Sequence, residues 1–382
     1  MTRSAWVDDV AERLDAVRAA GRWRAPRDLD GRGPSATLDG RPVVAFASND
    51  YLGLTVHPAV VAAAAEALER WGAGAGSARL VTGSRPVHDE LERELAQWKG
   101  TERTVLFPTG YQANLGVLAA LGSPGTRILS DELNHASIID GCRLARAETS
   151  VFPHGDLAAL DDRLGSDDRP ALVVSDTVFS MDGDVADVAG LLAVCARHGA
   201  LLVLDEAHAV LGPDVERTAT GACPPAGDVP VVRVGTLSKA LGSLGGFAAC
   251  SAPVADLLVN AARPYIFTTA SPPATAAAAL AALRIVRSAE GAGLRARLRH
   301  LVDRLAPGHP SPIVPVVLGG EERALAAAAA LADRGLFVPA IRPPTVAPGS
   351  SRLRVTLSAA HTDDQVDALL DGLAAVGVPL PA

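Results

Sequence analysis

The chain has 382 residues and almost no lysine: among its 35 lysines and arginines, only Lys99 and Lys239 are lysines. Arginine keeps its proton in proteins, so side-chain amine chemistry can come only from these two residues. A lysine can lose its proton once burial or a nearby cation lowers its pKa. Lys99 ends a polar helical pattern just before Gly100, the ordinary place for a cation at a helix C-terminus. Lys239 follows the strand-like run VVRVG in a Gly/Ser-rich turn, where it is either a solvated loop charge or a nucleophile.

Other absences exclude whole classes of protein. No run of about twenty strongly apolar residues occurs, so no transmembrane helix is expected. The N-terminal residues include acids and lack an apolar signal core, which argues against secretion. The net charge of −8 argues against a surface that coats nucleic acid. Four cysteines without a CxxC pair indicate neither a zinc knuckle nor a disulfide framework and suit the reduced cytoplasm. These cysteines are Cys142, Cys195, Cys223 and Cys250.

Between about residues 100 and 250, short β-rich apolar runs alternate with helical patterns. This alternation predicts an α/β fold whose mostly parallel sheet is covered on both faces, with its chemistry at the carboxyl ends of the strands. The predicted strands are 104–107, 127–131, 171–176, 200–206 and 231–236, with 312–318 and 352–357 in a smaller α+β region. Helices are predicted over about 4–20, 58–71, 112–121, 187–198 and a long alanine-rich stretch after 275. The predicted domains are an N-terminal helix and arm over 1–45, a large domain over 46–275 and a small domain over 276–382.

Two successive strands end near residues that suit a pyridoxal phosphate (PLP) site. Asp205 ends LLVLD, His208 follows three residues later, and Lys239 comes one strand further on. A lysine is needed for the Schiff base, and a carboxylate must face the pyridine nitrogen to keep it protonated. Taken alone, Asp205 also fits a helix N-cap.

Two further segments would complete such a site. TGYQANLG (109–116) follows a strand and opens a helix, and such a turn offers backbone amides and a helix dipole to a phosphate. His135 lies in a loop after RILSD, where its imidazole could stack on a flat ring or be simply solvated.

Eight segments occur in an order that resembles the α-oxoamine synthases, and the resemblance extends over nearly the whole chain. They are SNDYLGL, GAGAGSARLVTG, TGYQANLG, DELNHASIIDG, VFSMDGD, LDEAHAVLG, TLSKALGSLGG and RPPTVAPGSSRLRVTLSAAHT. The resemblance implies a PLP-dependent transferase of fold type I, with a mostly parallel seven-stranded sheet in the large domain. It also implies a homodimer whose two subunits share each active site.

The resemblance assigns roles around the cofactor. Lys239 would form the Schiff base and shuttle the proton at the substrate Cα, Asp205 would pair with the pyridinium, and His208 would hydrogen-bond the ring hydroxyl. His135 would stack on the ring and also contact substrate. The other implied cofactor contacts are Gly110, Tyr111, Ser180 and Thr236, with Thr268 and Thr269 reaching the phosphate in the partner subunit.

The same resemblance assigns the substrate contacts. Asn49 and Arg354 match groups that hold the amino-acid carboxylate, which a guanidinium fork suits well. Thr345, in RPPT, matches a substrate-contact position.

The arginines that would meet the acyl substrate are less well defined. The family has a run such as LRRR before the first strand, whereas this chain has GRWR, so Arg24 is the best match and Arg22 the alternative. Arg342 is either a specificity contact for a terminal acid or ester or part of a surface salt bridge.

The RPPT block favours the alanine-using members of the family, which act in biotin biosynthesis. The implied reaction joins L-alanine to a pimeloyl thioester of CoA or acyl carrier protein and releases CO2 and free thiol, without a metal. Alternatives are a glycine-using enzyme of the 5-aminolevulinate synthase or 2-amino-3-ketobutyrate CoA ligase type, and a serine-using one of the serine palmitoyltransferase type. From other classes, an aminotransferase-like enzyme and a non-catalytic PLP-binding protein remain open.

Nucleic-acid and membrane partners are not expected. Lysine reagents are expected to find two side chains, one of them protected by PLP.

Overall fold

The structure is a computed structural model of one chain and describes residues 4–211 and 229–378. The strands are β1 Leu29–Arg32, β2 Ser35–Leu38, β3 Arg41–Ala45, β4 Arg103–Phe107, β5 Arg127–Asp131, β6 Glu148–Phe152, β7 Ala171–Asp176, β8 Leu201–Asp205, β9 Val231–Thr236, β10 Gly246–Cys250, β11 Ile313–Gly319, β12 Leu336–Phe337, β13 Ala340–Ile341 and β14 Ser351–Thr356. The helices are α1 Ala5–Ala19, α2 Pro58–Trp71, α3 Pro86–Lys99, α4 Gly110–Leu121, α5 Ala136–Leu144, α6 Leu157–Gly165, α7 Val188–His198, α8 Ala252–Ala261, α9 Arg263–Ile266, α10 Pro273–Val286, α11 Ala289–Leu305, α12 Glu321–Ala332 and α13 Asp363–Ala375. A short π-helix spans Arg79–Gly83, and a 3-10 turn spans Leu54–Val56.

The central sheet has seven strands in the order β4-β10-β9-β8-β7-β5-β6, and only β10 runs against the others. The mostly parallel α/β fold expected from the sequence is therefore confirmed. The five strands predicted for this sheet are present within one residue of their expected bounds. Two of its strands were not predicted: β10, GFAAC, is made mostly of small residues, and β6, ETSVF, is a largely exposed edge strand.

Two smaller sheets join distant parts of the chain. β12 pairs in parallel with β3, so the N-terminal hairpin forms one sheet with the C-terminal region. β11, β14 and β13 form a three-stranded sheet. The predicted domain boundary at 275/276 falls inside α10, which packs against α2 and α3. The domain division stays a prediction.

Buried side chains form apolar clusters on both sides of the central sheet, as a parallel sheet requires. Cys142, Cys195 and Cys250 are buried and unpaired, whereas Cys223 lies outside the described residues. None of the helices that the structure describes is long and apolar enough to cross a bilayer.

Helix α1 confirms the amphipathic helix expected near the N-terminus. Its apolar residues nevertheless remain solvent-exposed: Trp6 is 73% exposed and Val7 47%. This helix therefore adds nothing to the core of the single chain.

Candidate active site

Lys239 lies in the turn between β9 and β10, at the carboxyl edge of the central sheet. Its Nζ is 2.7 Å from Nε2 of His208. Burial lowers the pKa of Lys239 to about 8, Arg354 adds to this shift, and Asp205 and Asp176 oppose it. The neutral amine is thus much more accessible near neutral pH than for an ordinary lysine, as a nucleophilic or proton-accepting lysine requires.

A hydrogen-bonded chain runs from Lys239 to a buried arginine. His208 Nδ1 is 2.5 Å from the Tyr51 hydroxyl, Tyr51 donates to Asn49 Oδ1 at 3.2 Å, and Asn49 Oδ1 also accepts from Arg354 Nη2 at 3.3 Å. Burial, followed by the charge of Lys239, holds the pKa of His208 well below its usual range, so its ring is neutral. Nε2 of that ring accepts from Lys239 and Nδ1–H donates to Tyr51.

Arg354 is held on several sides. Its Nε donates to the backbone oxygen of Ser180 at 2.5 Å and its Nη1 to Thr356 Oγ1 at 2.9 Å. The guanidinium is buried, and this burial lowers its pKa while Tyr51 opposes the shift. These contacts orient a fork that suits a substrate carboxylate.

Asp205 and Asp176 are directly paired across neighbouring parallel strands at the same edge of the sheet. Burial, followed by the charge of Asp205, raises the pKa of Asp176 well above its usual range. Burial therefore favours the protonated form of Asp176. The Asp205 carboxyl group accepts from Asn114 Nδ2 at 2.6 Å and from the Ala207 amide at 2.9 Å.

His135 caps the N-terminus of α5 beside these acids. Its Nδ1 accepts from the Ser137 amide at 3.2 Å and lies 2.8 Å from Ser137 Oγ. Its own amide donates to Asp176 Oδ2 at 2.7 Å. The ring of Tyr111 meets that of His135 edge-on, with 6.3 Å between the centroids.

The first turn of α4 abuts the end of β9. Thr109 caps this helix by accepting from the Gln112 amide at 3.1 Å. A Cβ added at Gly246 would lie 2.5 Å from the Gly110 amide nitrogen, and one added at Gly110 would lie 3.2 Å from Thr236 Cβ. The glycines therefore let the backbone approach closely, as a phosphate cradle at a helix N-terminus requires.

A separate groove of about 590 Å³ gathers three of the predicted substrate residues, Arg24, Arg342 and Thr345, with apolar side chains from α12 and the β12–β13 segment. Arg342 donates to the Gly21 and Trp23 carbonyls. The structure therefore gives Arg342 backbone partners in place of the surface salt bridge considered above.

The alternative arginine, Arg22, is already engaged, because its Nη2 lies 3.2 Å from Glu321 Oε1. Arg24 thus remains the better match for an acyl contact.

Thr268 and Thr269 lie next to the π-helix. Thr269 forms an isolated bridge with Ala78. Thr268 lines a cavity of about 10 Å³ together with Arg79 and His88.

The described residues fit PLP. A partly neutral lysine, a buried carboxylate with two donors and a glycine-lined helix N-terminus all lie at one sheet edge. Within residues 4–211 and 229–378, no three His, Cys, Asp or Glu side chains are placed to hold a metal ion.

The fold and this site define a PLP-dependent enzyme of fold type I. The model of the family "Aminotransferase class I and II" matches residues 41–373, and the chain belongs to this family. It is 49% identical over 400 residues to an 8-amino-7-oxononanoate synthase of Anaeromyxobacter dehalogenans, covering 100% of this chain and 98% of that one. The protein of the same name from Bordetella petrii is 47% identical, with 96% of each chain covered.

Solved structures agree with this placement. A serine palmitoyltransferase of S. paucimobilis with PLP and myriocin bound has a TM-score of 0.89 and 33% identity, over 98% of both chains. An 8-amino-7-oxononanoate synthase of Francisella tularensis has a TM-score of 0.71 and 26% identity, over 87% of this chain and 97% of the other. The resemblance to the α-oxoamine synthases and the dependence on PLP are confirmed.

Sequence reasoning assigned no role to four residues of these networks, Tyr51, Asn114, Ser137 and Asp176. Asp176 ends a strand just as Asp205 does, and that shared pattern could have revealed it. Asn114 is a polar residue in a mostly apolar helix, a weaker signal. No sequence signal would have linked Tyr51 to His208, because 157 residues separate them.

Proposed function

We propose that the chain condenses L-alanine with a pimeloyl thioester of CoA or acyl carrier protein, giving 8-amino-7-oxononanoate, CO2 and free thiol in biotin biosynthesis. The observation that carries this proposal is the near full-length identity of 47–49% to proteins named for that product. Lys239 and Asp205 meet at one edge of the central sheet, and Arg354 on β14 is linked to Lys239 by the hydrogen-bonded chain described above, which supports the proposal from the geometry.

Arg354 is the proposed anchor for the alanine carboxylate, with Asn49 beside it. Bound PLP supplies the carbon that captures the amino group and a ring that withdraws electrons from Cα. Asp205 would face the ring nitrogen and keep it protonated, which is the role of an acidic side chain at that position. Lys239, partly neutral at its pKa of about 8, takes the Cα proton and shares a hydrogen bond with His208.

His135 is the residue proposed to act on the acyl substrate. With Nδ1 accepting from Ser137, a neutral ring carries its proton on Nε2 and can donate it to the acyl carbonyl oxygen. A bond forms from the alanine Cα to the acyl carbon, and the carbon–sulfur bond breaks with the thiol as leaving group. The carboxylate of the alanine unit then leaves as CO2, and Cα regains a proton from Lys239.

The groove at Arg24, Arg342 and Thr345 is the proposed entrance for the acyl chain. It lies beside Arg354, since the Arg354 amide donates to the Pro339 carbonyl at 3.0 Å and Pro339 lines the groove. Apolar walls with cationic side chains match an alkyl chain that ends in an acid or ester.

We also propose a homodimer in the cytoplasm. Val81 is 72% and Phe267 68% exposed, and both flank the segment that carries Thr268 and Thr269. The π-helix and the helix that ends just before Phe267 contact each other, and exposed apolar side chains on neighbouring segments favour an interaction surface more than isolated ones do. In the dimer, Thr268 and Thr269 would reach the phosphate in the partner subunit.

The product assay tests the function directly. The purified holoenzyme is incubated with alanine, glycine or serine and with pimeloyl, acetyl, succinyl or palmitoyl thioesters, and CO2, thiol and product mass are measured. We expect turnover with alanine and pimeloyl thioester, and none with Lys239→Met. A preference for glycine or serine would assign the chain to a glycine- or serine-using group of the family instead. Amino transfer without thiol release would indicate an aminotransferase, and a cofactor spectrum that no amino acid changes would indicate a non-catalytic protein.

Matched variants test the acyl entrance. Arg24→Ala should raise KM for the pimeloyl thioester about 10-fold, the effect of losing one hydrogen bond to a charged group, without a comparable change in KM for alanine. Arg22→Ala is the control and should change KM less than about 2-fold, because Arg22 is engaged with Glu321 and a partly exposed ion pair contributes little. Equal effects of the two variants would contradict the assignment of Arg24.

A further inference from the structure

Asn114 is a buried amide whose donor side faces the cofactor site. It lies on α4 and is 1% exposed. Its Nδ2 donates to Asp205 Oδ2 at 2.6 Å and to Ser137 Oγ at 2.9 Å, so both amide hydrogens are used. Its Oδ1 is buried without a hydrogen-bond partner in the described part of the chain. An unpaired buried carbonyl costs stability, and the two donated bonds must offset that cost.

The orientation of this amide is dictated by its neighbour. Both Asp205 oxygens accept hydrogen bonds from N–H groups, Oδ2 from Asn114 and Oδ1 from the Ala207 amide. Turning the amide over would place Oδ1 of Asn114 against Oδ2 of Asp205, two acceptors in contact. Asn114 is therefore held with its nitrogen toward the carboxylate.

Asp205 is fixed through both of its oxygens. Oδ2 accepts from Asn114, and Oδ1 accepts from the Ala207 amide at 2.9 Å. The Ala207 bond comes from the neighbouring backbone, whereas Asn114 belongs to the helix whose first turn forms the phosphate cradle. Asn114 thus ties the position of the carboxylate to that of the phosphate end of the site.

The second hydrogen of the Asn114 amide reaches His135 through Ser137. Ser137 Oγ accepts from Asn114 and donates its single proton to His135 Nδ1 at 2.8 Å. The Ser137 amide donates to the same Nδ1. A neutral His135 ring must then carry its proton on Nε2. The Asn114 amide therefore contacts Asp205, which is proposed to face the ring nitrogen, and acts through Ser137 on His135, which is proposed to stack on the ring face.

We propose that Asn114 is a positioning residue that holds the Asp205 carboxylate and, through Ser137, the His135 ring in the relative geometry that binds the PLP pyridine ring. This inference rests on the roles of Asp205 and His135 in the proposed function. It adds a residue that contacts neither substrate nor solvent and acts only through these two groups.

The test measures the affinity of the apoprotein for PLP by fluorescence titration, together with the unfolding midpoint of the apoprotein. Asn114→Leu keeps the branched shape and the number of side-chain heavy atoms and removes both donors. We expect it to weaken PLP binding on the order of 10- to 100-fold, the effect of losing a hydrogen bond to a charged group. The matched control is Thr104→Val, which removes a buried hydroxyl without a hydrogen-bond partner on β4 and should leave PLP affinity unchanged. Wild-type affinity in Asn114→Leu, with only a lowered unfolding midpoint, would mean a merely structural role and overturn the proposal.

Asn114→Asp is a second variant of nearly identical shape, for use if the leucine variant does not fold. It places an acceptor against Asp205, and we expect it to weaken PLP binding at least as much. Unchanged affinity in this variant would equally overturn the proposal.

The link to His135 has a spectroscopic readout that does not depend on activity. In apoprotein labelled with 15N-histidine, His135 should show an unprotonated Nδ1 and a protonated Nε2. Ser137→Ala removes the shorter of the two hydrogen bonds to Nδ1 and should shift the Nδ1 resonance, while the remaining bond from the Ser137 amide keeps the proton on Nε2. Resonances that stay the same in Ser137→Ala would contradict this link. Asp205→Asn distinguishes failure of the proposed site from failure of the role of Asn114. If Asp205→Asn binds PLP as tightly as the wild type, the proposed site is wrong. If Asp205→Asn binds PLP more weakly but Asn114→Leu does not, only the role of Asn114 is contradicted.

Discussion

The two lysines of this chain lie in two buried environments that differ in their partners. Lys239 faces the neutral imidazole of His208, whereas Lys99 Nζ lies 2.5 Å from Glu206 Oε2. Glu206 also contacts Arg233 and directly follows Asp205 in the chain, so adjacent residues serve the two environments. Lys99 is only 4% exposed and also lies over the Trp98 ring, with 3.9 Å between Nζ and the ring centroid.

The difference shows that burial alone does not make a lysine reactive. Burial by itself would raise the pKa of Glu206, but Lys99 and Arg233 outweigh it and hold that pKa below its usual range. This carboxylate therefore stays charged and keeps an ion pair with Lys99. The pKa of Lys239 falls to about 8 because burial outweighs its more distant carboxylates. The nearest partner of a buried lysine thus decides between a structural charge and a chemical group.

The same substitution at both lysines should give opposite results. Lys239→Met should lower turnover by roughly 1,000-fold or more, because it removes the proposed proton-transfer group, and should abolish the absorption band of lysine-bound PLP. Lys99→Met should keep that band but lower the free energy of unfolding by about 3 kcal/mol, the low end for breaking a buried ion pair, since Arg233 still neutralises Glu206. Enzyme assays, spectra and denaturant unfolding measure these effects. A Lys239→Met enzyme that kept both the band and full turnover would remove the basis of the comparison.

The pH dependence of amine modification gives a smaller, graded contrast. In the apoprotein the neutral fraction of Lys239 rises as pH rises through about 8, so acylation should follow that midpoint and not the ordinary 10.5. Because Lys99 is buried in its ion pair, we expect it to react only after unfolding, which revises the expectation that reagents find both lysines. Mass spectrometry of the modified peptides measures both rates, and PLP should protect Lys239.

The pH dependence of the free energy of unfolding provides a control, because the direction of the change is known. The pKa of Lys239 is lower in the folded than in the unfolded state, so between about pH 8 and 10.5 the unfolded chain binds more protons. The free energy of unfolding should therefore rise with pH across this window relative to Lys239→Met. A Lys239 midpoint near 10.5, or equal rates at the two lysines, would contradict the comparison.

Much of the fold followed from local pattern. The runs RILSD, ALVVSD and VVRVGT form strands with the predicted bounds, and the helix expected over 58–71 is Pro58–Trp71. These elements are long or apolar enough for periodicity to identify them. β10 was missed because its alanines and glycine have little strand propensity, and it forms only because both its neighbours pair with it.

The site residues likewise divide into those that local sequence predicted and those that only the structure revealed. The sequence placed Asp205 and Lys239 at the ends of neighbouring strands, and the parallel sheet brings such ends to one edge. The polar groups around them come from elsewhere in the chain: Tyr51 meets His208, and Asn114 meets Asp205 across 91 residues. Such long-range hydrogen bonds leave no periodicity for a single sequence to show.

The sequence by itself determined which residues could act as an amine and which family pattern surrounds them. Both lysines were visible as rare residues, but helix position suggested only an ordinary terminal cation at Lys99. Tertiary structure decided that Lys99 is buried against Glu206 and that Lys239 faces a neutral histidine. The physical reason is that the charge of a buried amine depends on desolvation and on the groups within a few ångströms, and these come together only when distant strands and helices pack.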